Sequence, residues 1–197
     1  VITSGSGGVN SKVGASSSID SQFEKMYSGY FSNFESNRYA TISEPGNLLI
    51  VCNDALLSAV SPLVEWKQQK GIATELLPSS SVGGSVLGIQ GAITDRYNSP
   101  AGLTYVILVG DLAQIPTNNG TYEGALSDPM YTMVEGGDSY PDLFISRISA
   151  TNPTETQTQV AKFIRYERDP DTGAAGDWYA KATGIASNEG SPTDAER

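Results

Sequence analysis

Residues 103–111 read Leu103-Thr104-Tyr105-Val106-Ile107-Leu108-Val109-Gly110-Asp111. The apolar run is too short for a helix and rich in residues that favour strands, so it predicts a strand buried on both faces of an α/β sheet. Gly110 lets the chain turn sharply, which places Asp111 at the carboxyl edge of the sheet. Open α/β sheets carry their sites at that edge, although an acid there also serves as an ordinary turn or helix-cap residue.

The composition narrows the classes of function. The chain has 197 residues, a net charge of −10 and no histidine. An acidic chain repels phosphate backbones, which argues against a nucleic-acid partner, and no apolar run is long enough for a membrane span. Without an imidazole, the residues of this chain cannot complete a serine or cysteine catalytic pair. The single cysteine, Cys52, ends an apolar run and is predicted to be a buried, unreactive thiol.

Glycine, serine and proline divide the chain into three parts. Residues 1–20 form a flexible Gly/Ser-rich leader, residues 21–45 an aromatic docking segment, and residues 46–197 the domain on which that segment lies. The aromatic spacing in the docking segment predicts one helical face made of Phe23, Tyr27, Tyr30 and Phe34.

Within the domain the hydrophobic periodicity predicts the order βαβαβ, a loop-rich excursion, and then βαβ. The predicted strands are 47–52, 72–77, 103–109, 130–134, 143–148 and 182–187, and the predicted helices are 56–70, 85–97 and 152–167. Pro62 means that the first of these helices either begins at Ser61 or is kinked there. The order predicts an α/β fold with a mainly parallel sheet flanked by helices. Because no helix covers the final strand, we expect the domain to be incomplete without a downstream segment.

Two groups of carboxylates are candidates for chemistry. The turn-rich loop of residues 135–142 contains Glu135, Asp138 and Asp142, and flexible oxygen-rich loops suit Ca²⁺. Such loops are also often simply solvated, and this spacing does not match the helix-loop-helix calcium motif. Glu189, like Asp111, follows a predicted strand and is either a surface turn residue or a site residue.

Several separated motifs occur in one colinear order over about residues 46–193. They are Val64–Glu75, Leu103–Asp111, Ile115-Pro116, Ser127-Asp128, Gly137–Tyr140, Phe144–Arg147, Arg165–Glu167 and Ile185–Gly190. Together they resemble the gingipain family of cysteine endopeptidases, and most of all its arginine-specific members. That family has a caspase-like α/β catalytic domain of two subdomains. The resemblance therefore implies a gingipain-type fold in which this chain is the first subdomain and the start of the second.

The resemblance also implies an activity and its site residues. It implies a secreted, calcium-stabilised cysteine endopeptidase, extracellular or at the cell surface, that hydrolyses peptide bonds after a basic residue, with arginine favoured. Glu189 falls on the acid that assists the catalytic histidine. The implied Ca²⁺ site comprises the side chains of Asp111, Asp138 and Asp142 with the main-chain oxygens of Glu135 and Tyr140. Asp142 stands where the arginine-specific relatives have a glutamate, which shortens its reach by one methylene.

The family's catalytic histidine and cysteine lie downstream of Glu189, and Cys52 does not match the nucleophile. The implied partners are therefore a polypeptide substrate and a downstream segment or separate, bound chain that carries both catalytic residues. Arg197 is then expected to be a processing site. Two alternatives remain: a non-catalytic, calcium-stabilised binding or regulatory fragment, and a glycosidase that pairs the carboxylates of Asp111 and Glu189.

Overall fold

The structure, a computed structural model, describes residues 18–35, 40–42, 46–120, 124–137 and 140–184. The chain separates into two compact units, Val1–Ala161 and Lys162–Arg197. Among the described residues, no helix combines the length and the apolar character needed to cross a membrane.

The elements of the described chain alternate between strands and helices. In order they are β1 (Ser18–Asp20), α1 (Ser21–Tyr30), β2 (Ala40–Ile42), β3 (Leu48–Cys52), α2 (Leu57–Gln69), β4 (Thr74–Pro78), α3 (Val86–Tyr97), β5 (Tyr105–Val109), β6 (Asn118–Asn119), β7 (Leu126–Ser127), β8 (Phe144–Ile148) and α4 (Pro153–Arg168). Short 3-10 helices cover Asp54–Leu56, Ser79–Val82, Asp128–Thr132 and Gly173–Ala180. The second unit begins within α4.

A four-stranded parallel sheet in the order β4-β3-β5-β8 forms the body of the first unit. Every residue of β3 is buried, as expected of a strand with a neighbour on each side and a layer on both faces. β5 pairs with both β3 and β8, so the stretch 103–111 does supply a central strand. The predicted α/β class with a parallel sheet flanked by helices is confirmed.

One face of the sheet packs against α3 and the 3-10 helix Asp128–Thr132. The buried core on this side consists of Leu49, Val51, Leu77, Ile89, Ala92, Ile93, Leu103, Val106, Leu108, Ile115, Tyr131 and Leu143. Burying one large side chain of this kind contributes about 1.5–3 kcal/mol, so this layer stabilises the unit substantially. The phenol of Tyr131, which is fully buried, donates to the carbonyl oxygen of Pro116 and so satisfies its polar end.

The predicted strand 130–134 is wrong, because the chain forms the 3-10 helix Asp128–Thr132 there. Pro129 sits in its first turn, and the Thr132 hydroxyl donates back to the Pro129 carbonyl at 2.7 Å. A proline at this place favours a helical turn over a ladder strand, since it fixes φ and lacks an N–H.

Helix α2 begins at Leu57, so the alternative in which it starts at Ser61 is wrong, and Pro62 lies inside it. The last predicted strand, 182–187, is not seen at residues 182–184, which have no regular structure, and residues 185–187 lie outside the described residues. In α4, Thr156 and Val160 are buried, whereas Phe163 is 43% exposed.

The aromatic face predicted for residues 23–34 forms only in part. α1 ends at Tyr30, whose side chain is 82% exposed, so Phe34 lies beyond the helix. At the other end of α1, the ring of Phe23 stacks on Phe144 of β8 with centroids 4.3 Å apart. Phe144 in turn stacks on Tyr105 of β5 at 5.6 Å.

Candidate functional site

The loop after β5 is a tight turn at the carboxyl edge of the sheet. Gly110 has a φ of 139°, which favours glycine, and a Cβ there would lie 2.8 Å from the Cβ of Gln114. The amide of Asp111 donates to the Ala150 carbonyl at 3.0 Å, which extends the pairing of β5 and β8 past both strands. The Asp111 carbonyl then accepts the amides of Gln114 and Ile115, at 2.9 and 2.8 Å. Asp111 is therefore placed where the sequence predicted.

The side chain of Asp111 has polar neighbours from the start of α4. Its carboxylate accepts a hydrogen bond of 3.0 Å from the Ser149 hydroxyl. Glu155 lies close by, and the amide and hydroxyl of Thr151, which both donate to Glu155, hold its pKa below the usual value. The Asp111 charge acts on the pKa of Glu155 in the opposite direction.

Cys52, at the end of β3, is fully buried, which confirms the predicted structural thiol. Burial raises its pKa to about 12, and the nearby charge of Asp54 acts in the same direction. The Asp54 carboxylate accepts hydrogen bonds from the amide and hydroxyl of Ser80, at 3.2 and 2.5 Å, and so connects the loops after β3 and β4. A thiol that stays protonated is a poor nucleophile.

Arg147 was not singled out by sequence reasoning, yet its guanidinium donates four hydrogen bonds at the carboxyl edge. Its Nε and Nη2 donate to the two carboxylate oxygens of Asp128, at 2.8 and 2.7 Å. Its Nη1 donates to the carbonyls of Gly110 and Ile115, at 2.8 and 2.9 Å. The guanidinium holds the pKa of Asp128 below its usual value. The signal available in the sequence was a charged residue inside a predicted sheet strand, where burial requires a partner.

A second polar cluster lies in the loop before β8. One oxygen of the Asp142 carboxylate accepts the amides of Val134 and Glu135, at 3.0 and 2.9 Å, and the Asp142 amide donates to the Thr132 carbonyl at 2.8 Å. The hydroxyl of Tyr97, at the end of α3, donates to the Glu135 carboxylate at 2.8 Å. Burial, followed by this hydrogen bond, raises the pKa of Tyr97 above its usual value.

These two clusters lie at opposite edges of the sheet, which corrects the predicted set of calcium ligands. Asp111 follows β5 and is bonded to Ala150 after β8, whereas Asp142 precedes β8. The five residues of β8 alone separate the two edges by about 13 Å. Two ligands of one Ca²⁺ ion, each bound at about 2.3–2.6 Å, lie at most about 5 Å apart. Asp111 therefore cannot share an ion with Asp142.

The other predicted ligands stay compatible with one loop. The structure brings Glu135 and Asp142 together, and Tyr140 belongs to the same loop, whereas Asp138 lies outside the described residues. Within the described residues, no group of three or more histidine, cysteine or acidic side chains is placed to hold a metal ion. Main-chain and carboxylate oxygens are nevertheless the donor chemistry that Ca²⁺ prefers. Glu189 also lies outside the described residues.

Comparison with known proteins decides the family. The sequence profile of Peptidase family C25 matches residues 41–197. This chain belongs to peptidase family C25. Gingipain R2 of Porphyromonas gingivalis is 32% identical over 176 residues, which cover 87% of this chain and 23% of the relative. Lys-gingipain of the same organism is 27% identical over 158 residues, covering 77% of this chain and 9% of the relative.

Solved structures agree with the family assignment. The crystal structure of the Arg-specific cysteine proteinase gingipain R matches with a TM-score of 0.60 at 30% sequence identity. The match covers 64% of this chain and 30% of that chain. The structure described as the complex of Porphyromonas gingivalis RgpB pro- and mature domains matches with a TM-score of 0.59 at 30% identity, over 63% of this chain and 30% of that one. The C25 chain thus has the expected gingipain-type, caspase-like α/β fold and spans about a quarter of the length of Gingipain R2.

Proposed function

We propose that this C25 chain is the amino-terminal part of the catalytic domain of a cysteine endopeptidase that cleaves after a basic residue, with arginine favoured. The observation that carries the proposal is the profile match over residues 41–197, together with 32% identity to Gingipain R2 against 27% to Lys-gingipain. Family membership favours a peptidase over the glycosidase that would pair Asp111 with Glu189. The same relationship supports secretion, with action outside the cell or at the cell surface.

The catalytic histidine and cysteine of the proposed enzyme reside on a downstream segment or a separate, bound chain. The chain contains no histidine, and its only cysteine is buried with a raised pKa. Glu189 would accept a hydrogen bond from the distal ring nitrogen of that histidine, orient the imidazole and favour its protonated form.

Calcium is proposed to bind in the loop before β8. The carboxylates of Asp138 and Asp142 and the main-chain oxygens of Glu135 and Tyr140 are the proposed ligands. The amides of Val134 and Glu135 hold one oxygen of Asp142 in place, which orients the carboxylate before any ion binds. An ion bound only to the folded protein would stabilise it by mass action.

The activity is tested with the complete protein and three peptide substrates that differ only in arginine, lysine or alanine before the scissile bond. We expect cleavage that is lost after thiol alkylation, with a kcat/KM for arginine at least about tenfold above that for lysine. Glu189→Gln should lower kcat, and Glu167→Gln serves as a control for an unrelated glutamate. Cleavage that survives complete alkylation, or no preference for a basic residue, would refute the proposal.

A further inference from the structure

Arg147 ties both ends of one loop to a third segment. Through Nη1 it binds the carbonyls of Gly110 and Ile115, which are the first and last residues of the turn after β5. Through Nε and Nη2 it binds Asp128, at the start of a 3-10 helix, in a two-pronged ion pair. Lysine has the same charge but lacks the planar fork that makes these four contacts at once.

The position of this side chain indicates that it fixes the loop. The side chains of Arg147 and Asp128 are only 11% and 24% exposed, so solvent competes weakly for their contacts. The loop itself is already a tight turn, because the Asp111 carbonyl accepts the amides of Gln114 and Ile115. Arg147 therefore fixes the position of this turn relative to the sheet.

The loop presents side chains at the edge where α/β sheets bind their ligands. Leu112 is 41% exposed there, and Asp111, which precedes it, accepts a hydrogen bond from Ser149. An exposed apolar side chain on a fixed turn at this edge is suited to contact a side chain of an extended peptide.

We propose that Arg147 is a positioning residue that holds residues 110–115 as one wall of the cleft that binds the polypeptide substrate. This inference rests on the proposed peptidase function. Arg147 acts through the loop and does not touch the substrate, so its loss should weaken substrate binding more than it slows the chemical step. Small misplacement of binding groups is enough to lower catalytic efficiency strongly.

The chain offers a matched control in the ion pair of Arg96 and Glu75. This pair has the same two-pronged geometry, with Nε–Oε2 at 2.7 Å and Nη2–Oε1 at 2.5 Å, and it joins α3 to β4. Glu75 lies near the start of β4 and Arg96 near the end of α3, so the pair belongs to the amino edge of the sheet. Arg96→Lys therefore makes the same chemical change away from the proposed cleft.

The experiment compares the complete protein with its Arg147→Lys, Asp128→Asn and Arg96→Lys variants. Hydrogen exchange of peptides covering residues 110–117 should become faster in Arg147→Lys and stay unchanged in Arg96→Lys. Steady-state kinetics on the arginine peptide should show KM raised about tenfold with kcat within about threefold for Arg147→Lys, and both constants within about twofold for Arg96→Lys. Asp128→Asn, which keeps the Nη1 contacts, should lie between the two and provides the test if Arg147→Lys does not fold.

Each outcome decides between the claims. Faster exchange with unchanged KM would show that the loop is held by Arg147 but does not line the cleft, and would overturn the inference. Unchanged exchange would overturn it as well. If the parent protein has no thiol-dependent peptidase activity, the proposed function fails, and hydrogen exchange alone still decides whether Arg147 holds the loop.

Discussion

Each edge of the same parallel sheet has a two-pronged arginine–carboxylate pair, and the two pairs differ in exposure. The side chains of Arg147 and Asp128 at the carboxyl edge are 11% and 24% exposed, whereas those of Arg96 and Glu75 at the amino edge are 28% and 50% exposed. At the carboxyl edge, loops are joined by charged side chains, as in the pairs Arg147–Asp128 and Asp54–Ser80. At the amino edge, the hydroxyl of Tyr97 donates to the carboxylate of Glu135. Glu135 belongs to the loop in which the Asp142 carboxylate accepts main-chain amides. This difference matches the two roles proposed above, a wall of the substrate cleft at the carboxyl edge and a calcium-binding loop at the amino edge.

The largest expected effect is the loss in the free energy of unfolding when the ion pair at each edge is broken. Arg147→Met leaves the half-buried Asp128 carboxylate without its cation and should lower the free energy of unfolding by about 3–5 kcal/mol. Arg96→Met breaks a more exposed pair and should cost about 1 kcal/mol or less. Urea unfolding of the two variants measures both values. Equal losses would contradict the contrast between the edges.

The second-largest expected effect is the stabilisation of the protein by calcium, which depends on the loop at the amino edge. If the ion binds in the loop before β8, saturating Ca²⁺ at about 100 times its Kd should stabilise the parent protein by about 2.7 kcal/mol. Asp142→Asn should abolish the calcium-induced rise in Tm, whereas Asp111→Asn, at the other edge, should retain it. If the calcium-induced rise in Tm were lost in Asp111→Asn and kept in Asp142→Asn, the ion would bind at the carboxyl edge, which would contradict the proposed site.

A smaller effect tests the amino edge alone. Tyr97→Phe removes the donor to the Glu135 carboxylate and should cost about 1.5 kcal/mol, as a hydrogen bond to a charged group. Tyr30→Phe changes a side chain that is largely exposed and should leave the free energy of unfolding unchanged. Chemical denaturation followed by tryptophan fluorescence measures both free energies of unfolding. A Tyr97→Phe variant as stable as the parent would argue against a structural role for the Tyr97 phenol.

The smallest effect is a pH dependence of the carboxyl edge. The Arg147 guanidinium holds the pKa of Asp128 below its unfolded value, so its contribution to stability is complete above the unfolded pKa, about 4. The contribution is lost as the pH falls from there through the lower, folded pKa. The Tm difference between the parent and Asp128→Asn should therefore shrink on acidification below about pH 4. A Tm difference that grows on acidification would contradict this prediction.

Local patterns predicted most of the elements, because their causes are local. The run Tyr105–Val109 became a strand, and α3 begins after Ser85, whose hydroxyl accepts the Gly88 amide as an N-cap. The strand predicted at 130–134 failed because an apolar pattern over a few residues does not distinguish a strand from a buried helical turn.

The site was harder to predict than the fold, because it depends on which edge each loop reaches. Asp111 and Asp142 both lie in loops beside predicted strands, but they are separated by the full length of β8. The partner of Arg147, Asp128, lies in the excursion whose structure was mispredicted, so no pattern linked the two residues.

The most direct test labels the catalytic cysteine of the complete protein. A peptide that ends in arginine and carries a chloromethyl ketone should alkylate one cysteine, and peptide mapping identifies it. We predict that the label lies on a cysteine outside residues 1–197, that labelling abolishes cleavage after arginine, and that Cys52 stays unmodified because its thiol is buried and protonated. Labelling of Cys52, or full activity with no cysteine labelled, would contradict the assignment of this chain to the amino-terminal part of a cysteine endopeptidase.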